Sequence, residues 1–178
     1  IGPGDHVGLV LANGSEYVEG MIAAYKLRAV PINVNYRYVP AELRALFEDA
    51  DLRGLIVHRA FAPRTLEASE ELPLIRTTLV VEDGSRVALP GPIDDYETAL
   101  AYASEKRDFG GRDSDDLYVV YTGGTTGRPK GVMWRHEDIF FAAMGGGDPM
   151  RTAGPIARPE ELDARITAEP VIALAAPP

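Results

Sequence analysis

Residues 117–134, Leu-Tyr-Val-Val-Tyr-Thr-Gly-Gly-Thr-Thr-Gly-Arg-Pro-Lys-Gly-Val-Met-Trp, decide how this chain folds. They open on the apolar run Leu117 to Tyr121, which reads as a buried strand. They close on a second short apolar run, Gly131 to Trp134. Between these runs, the twelve residues Tyr121 to Val132 hold four glycines, three threonines and one lysine. Glycine lets backbone N–H groups turn toward a ligand with no Cβ in the way. Successive N–H groups in such a turn form an anion-binding concavity. Threonine hydroxyls add donors, and lysine adds a compact positive charge. The loop reads as a phosphate cradle.

Two commoner nucleotide loops do not fit. The nucleotide P-loop needs Ser or Thr after its lysine, opening a helix. Here Lys130 is followed by Gly131 and then by strand-like residues. A dinucleotide fingerprint needs G-x-G-x-x-G opening a helix, and glycines at 123, 124 and 127 break that spacing. A glycine–threonine loop between two strands fits without exceptions.

Outward from the loop, apolar runs alternate with helical periodicity. Val7 to Leu11, Val30 to Val34 and Leu55 to Val57 read as strands. Glu16 to Leu27 reads as a helix with Tyr17, Met21, Ala24 and Leu27 on one face, and Asn13-Gly14-Ser15 supplies its turn and N-cap. Pro40 opens a helix through Ala50, with Leu43, Leu46 and Phe47 on its apolar side. Further along, Pro63 to Leu72 and Ile93 to Ala103 are helix-like, Thr77 to Val81 is strand-like, and 82–92 is a loop. Glu105 to Asp116 is polar. His136 to Met144 reads as a helix ended by Gly145-Gly146-Gly147, Pro159 to Ile166 as a short helix, and Pro170 to Ala175 as a strand. This alternation predicts an α/β fold with a mostly parallel sheet layered with helices. Residues 1–111 carry the strand–helix repeats, 112–150 the phosphate-loop region, and 151–178 a loop and the next strand.

The chain has 178 residues, no cysteine and a net charge of −9. Disulfide scaffolding and thiolate chemistry are excluded. An acidic chain disfavours nucleic acid or anionic membrane as a general partner. An anionic substrate then needs local positive charge, which Arg128, Lys130, Arg135 and His136 supply. No apolar run is long enough to span a bilayer, and no signal peptide is visible. Ile1 at the start and an apolar run just before Pro178 suggest an internal piece of a longer, cytoplasmic protein.

The run YTGGTTGRPKGV resembles the phosphate-binding signature of the adenylate-forming (AMP-binding) enzymes, which include acyl-CoA synthetases, firefly luciferase and nonribosomal-peptide adenylation domains. It departs at Gly123, where serine or threonine is more usual; one hydroxyl donor is lost and the backbone donor kept. Gly4 to Leu9, Asn13, Glu16-Tyr17, Val30 to Asn33, Pro40 to Leu43 and Asp115 to Leu117 are similar to other family segments. Met133-Trp134-Arg135, Glu137 to Ile139 and Gly145 to Pro149 look most like bacterial long-chain or steroid-side-chain CoA ligases.

The resemblance implies an incomplete N-terminal AMP-binding domain of an acid–thiol ligase. Such enzymes use ATP and Mg2+ to form an acyl adenylate, then a coenzyme A thioester. It implies phosphate binding by Thr122, Gly123, Gly124, Thr125, Thr126, Gly127 and Lys130, a magnesium contact for Thr122, and catalytic roles for Lys130 and His136. The acyl pocket, a magnesium-binding glutamate, a ribose-binding aspartate and a C-terminal lysine are expected beyond Pro178. The chain alone is then expected to be inactive, and to self-associate through apolar surface that the rest would cover. A carrier-protein acceptor in place of coenzyme A, and a non-catalytic nucleotide-binding remnant, stay open. Plainer roles also compete: Lys130 as a solvated lysine, His136 as a helix cap, Trp134 as core or subdomain packing, and Asp115-Asp116 as a solvated turn. His6 and His58 have no metal-site spacing.

Overall fold

The computed structural model describes residues 1–122, 129–148, 150, 152–158 and 160–168, in two compact units, Ile1–Arg135 and His136–Pro178. In the first, β1 (His6–Val10), α1 (Ser15–Lys26), β2 (Val30–Asn33), α2 (Pro40–Asp49) and β3 (Leu52–His58) alternate as expected. A 3-10 turn (Arg59–Phe61), α3 (Ala62–Ser69), β4 (Thr77–Val81), β5 (Asp94–Asp95) and α4 (Tyr96–Tyr102) follow. The hairpin of β6 (Leu117–Thr122) and β7 (Lys130–Arg135) completes a seven-stranded sheet of order β5-β4-β3-β1-β2-β6-β7. Every pairing is parallel except β6 with β7.

Side-chain alternation along the strands builds two layers of core. Val10, Ile32, Leu55, Val57 and Val80 pack with Leu43, Leu46 and Phe47 of α2 and Ala62 and Ala68 of α3. Val7, Leu9, Ile56 and Val81 pack with Ala24 of α1 and Tyr96 of α4. The sheet is therefore covered on both faces, as parallel sheets require. Gly8 shows how tight the α2 side is: a Cβ there would lie 2.8 Å from both Leu52 Cδ1 and Leu55 Cδ2.

Local chemistry moves several boundaries. Gly14, within the expected Asn13-Gly14-Ser15 stretch, is the N-cap of α1, in extended conformation and with no side-chain cap. Leu27 is exposed rather than on the buried face, because α1 ends at Lys26. Arg28 then turns the chain at φ 59. Gly20 takes the sheet-facing place instead, its missing Cβ 2.9 Å from Ile56 Cδ1. Glu42 Oε2 accepts the Val39 amide ahead of Pro40 and helps start α2. Asp95 accepts the Thr98 amide at 2.7 Å, so α4 begins at Tyr96 and Asp94–Asp95 become a short strand.

The second unit holds α5 (His136–Ala143) and α6 (Glu160–Ala168). Gly145, Gly146 and Gly147 all lie at positive φ, and a Cβ on Gly146 would meet Pro155 Cβ at 2.6 Å. Only glycine suits that turn. Asp148, 6% exposed, gathers the following loop. Its carboxylate accepts the amides of Thr152 (3.0 Å), Ala153 (2.7 Å) and Gly154 (2.6 Å). Those bonds, the Thr152 amide first, hold its pKa below the ordinary carboxylate value. With the folded pKa depressed, the stabilisation is full above the unfolded value, about 3.9. It is lost as pH falls through the folded one. The amide resonances of residues 152–154 are expected to stay constant from neutral pH down to about 4 and to shift together below it. Asp148→Asn should abolish that shift, and a common titration above the ordinary carboxylate value would contradict it.

The expected strand at Pro170 to Ala175 lies outside the described residues.

Candidate phosphate site

The hairpin register sets the geometry at the loop. In antiparallel β6 and β7, Thr122 lies directly opposite Lys130, Tyr121 opposite Gly131, and Val119 opposite Met133. Directly opposed residues project from the same face of a sheet. Thr122 and Lys130 therefore stand side by side, both exposed, where the loop leaves and rejoins the sheet. The expected ligands Gly123, Gly124, Thr125, Thr126 and Gly127 lie outside the described residues. β6 is parallel to β2, so its Thr122 end is the carboxyl end. Open α/β sheets bind ligands at that end.

Two ion pairs hold the other end of the hairpin. Arg28 donates to both oxygens of Asp116, from Nε at 3.0 and 3.1 Å and from Nη2 at 2.8 Å. Arg135 Nη1 meets Asp115 Oδ1 at 2.7 Å. Asp116 is thus not a solvated turn residue; its side chain is 10% exposed. It ties the start of β6 to the α1–β2 turn, a fork geometry that only arginine supplies. No local pattern announces this pair, because its members are 88 residues apart.

Tyr121 occupies the step before the loop. Its hydroxyl donates to Asp49 Oδ2, the last residue of α2, at 2.7 Å. Burial, and then that bond, push its pKa upward, so it remains a neutral donor. A hollow of about 180 Å³ lies beside it, lined by His6, Asp49, Val119, Tyr121, Gly131 and Met133. His6 Nδ1 is 2.6 Å from Ala50 O there. A larger open hollow of about 390 Å³ includes Leu66, Glu67, Glu70 and Leu89. Its two glutamates have the wrong sign for phosphate.

His136 is the first residue of α5 and directly follows Arg135, the last residue of β7. Lys130 begins that strand, so Arg135 stands roughly 17 Å further along it. Lys130 and Arg135 thus stand at opposite ends of β7. Val132, Met133 and Trp134 are exposed along this strand. Among the described residues, no group of three or more His, Cys, Asp or Glu could hold a metal ion. No described helix is long and apolar enough to cross a membrane.

The model of the AMP-binding enzyme family matches residues 1–173, and the chain belongs to that family. A 3-oxocholest-4-en-26-oate–CoA ligase of Rhodococcus rhodochrous is 50% identical over 147 residues, 82% of this chain and 26% of that protein. The medium-chain acyl-CoA ligase Mig of Mycobacterium avium is 44% identical over 166 residues, 93% of this chain and 30% of that protein. The crystal structure of the anthranilate CoA ligase AuaEII with anthranoyl-AMP matches with a TM-score of 0.73 at 25% identity. That match covers 83% of this chain and 28% of the ligase. The chain thus spans between a quarter and a third of the length of these relatives.

Proposed function

We propose that this chain forms the phosphate-binding part of an ATP-dependent carboxylate–CoA ligase, acting on a medium- or long-chain fatty acid or a steroid side-chain acid. The observation that carries the reading is the pairing of Thr122 with Lys130 at the mouth of a Gly/Thr loop, in a chain of this family. The substrate classes are those named for its bacterial relatives.

The carboxylate oxygen attacks the α-phosphorus of ATP, and the bond to pyrophosphate breaks. Negative charge grows on the leaving pyrophosphate, where fixed donors and a cation count most. Lys130 holds that charge. Gly123, Gly124, Thr125, Thr126 and Gly127 supply the cradle by the likeness of their sequence. Thr122, exposed and directly opposite Lys130, offers its hydroxyl beside it. One hydroxyl suits Mg2+, which takes few protein ligands and relies on substrate phosphates. When bound, the ion neutralises phosphate charge. The thiol sulfur of coenzyme A then attacks the acyl carbonyl, and AMP leaves.

His136 is carried as a second catalytic candidate, acting at the start of α5. Cytoplasmic location belongs to the same proposal, as does the inactivity of residues 1–178 alone. The test is thioester formation by the whole protein with a panel of acids. The reading expects coenzyme A thioesters of fatty or steroid side-chain acids. Transfer to a carrier protein and not to coenzyme A, or nucleotide binding without transfer to any acid, would overturn it.

A further inference from the structure

We propose that Tyr121 is a positioning residue: its ring, laid against Gly131 and tethered to Asp49, sets the hairpin register that pairs Thr122 with Lys130. Its consequence for catalysis rests on the function proposed above; its consequence for register does not.

Among the described residues β7 is the edge of the sheet, and all six of its residues are exposed. Burial fixes register only where one face is buried. A slip of one residue would turn every β7 side chain to the other face and take Lys130 away from Thr122. The ion pair between Arg135 and Asp115 acts at the far end and is itself exposed, so it holds the loop end weakly.

The Tyr121–Gly131 pair acts at the loop end. A Cβ on Gly131 would lie 3.1 Å from Tyr121 Cε2 and Cζ and 3.3 Å from its hydroxyl oxygen. The ring therefore fills the place a side chain would take, an aromatic cover over an edge glycine, which pins cross-strand register. Its hydroxyl donates to Asp49 Oδ2 at 2.7 Å, an exposed bond that biases the ring toward Gly131. Asp49 ends α2, whose Leu43, Leu46 and Phe47 are locked in the core. Core packing thus reaches the loop through one phenol. In the slipped registers Lys130 or Val132 would face Tyr121, and either side chain would displace the ring.

The test reads register directly. Thr122→Cys with Lys130→Cys places two thiols at directly opposed positions, about 4.5–5.5 Å apart at Cα, within disulfide reach. The chain has no other cysteine, and peptide mass mapping in the whole protein identifies the 122–130 bond. The bond is expected to form readily in the parent, within about threefold of that rate in Tyr121→Phe, and about tenfold or more slowly in Tyr121→Leu. Gly131→Ala, a single methyl against the ring, should slow it in the same direction and serves if Tyr121→Leu folds poorly. Equal rates in Tyr121→Leu and the parent overturn the proposal. A loss in Tyr121→Phe as large as in Tyr121→Leu overturns the ring as the pin. Without the cysteines, Tyr121→Leu should raise KM for ATP about tenfold with KM for the acid unchanged. Slower cross-linking with unchanged KM for ATP would leave the register role standing and remove the phosphate role from the pair.

Discussion

Lys130→Ala in the whole protein is expected to slow adenylation by about 10²- to 10³-fold. The figure is that of removing one preorganised donor from a site of developing charge. Lys130 is exposed at the first position of β7, so its truncation opens no cavity in the core. The fold should persist, and thermal unfolding should coincide with that of the parent. Single-turnover formation of the acyl adenylate is the measurement. A variant that adenylates at the parent rate would make Lys130 a solvated surface lysine. Lys130→Arg should recover only part of the rate, because a planar fork does not reproduce a point charge.

Phe47→Ala is expected to lose about 3–5 kcal/mol of stability, the range for truncating a large buried aromatic. Phe47 is 1% exposed and packs from α2 into the cluster with Leu43, Leu46, Leu52 and Leu55. The truncation leaves a cavity in the layer that supports Asp49, and through it Tyr121. Denaturant unfolding should show a lower midpoint with an unchanged slope. A loss below about 1 kcal/mol would mean that the α2 layer collapses around the vacancy. The two variants separate support from chemistry: Phe47→Ala acts on the fold and Lys130→Ala on the reaction.

Much of this frame was legible in the sequence because periodicity is local. The alternation of short apolar runs with amphipathic stretches marked β1, α1, β2, α2 and β4, and the Leu43, Leu46 and Phe47 face was read correctly. The limits of β3 were not, since it runs from Leu52 to His58 and Arg53 and Gly54 mask its apolar character. Leu27 misled because its spacing suits a helical face while α1 ends one residue earlier. Strand order was not readable, because placing β6 beside β2 depends on contacts across 87 residues, such as Ile32 with Val119. The same holds at the site. The loop's composition announced phosphate chemistry, yet the Arg28–Asp116 fork and the Tyr121–Asp49 bond, which hold its stems, join residues far apart in the chain.

The central claim is that Thr122 and Lys130 bracket a loop that holds the leaving pyrophosphate of ATP during carboxylate activation. Carboxylate-dependent exchange of labelled pyrophosphate into ATP by the whole protein tests it most directly. Exchange that requires a fatty or steroid side-chain acid and is absent without one is the result predicted. Release of orthophosphate in place of pyrophosphate, or exchange indifferent to the acid, would contradict the claim.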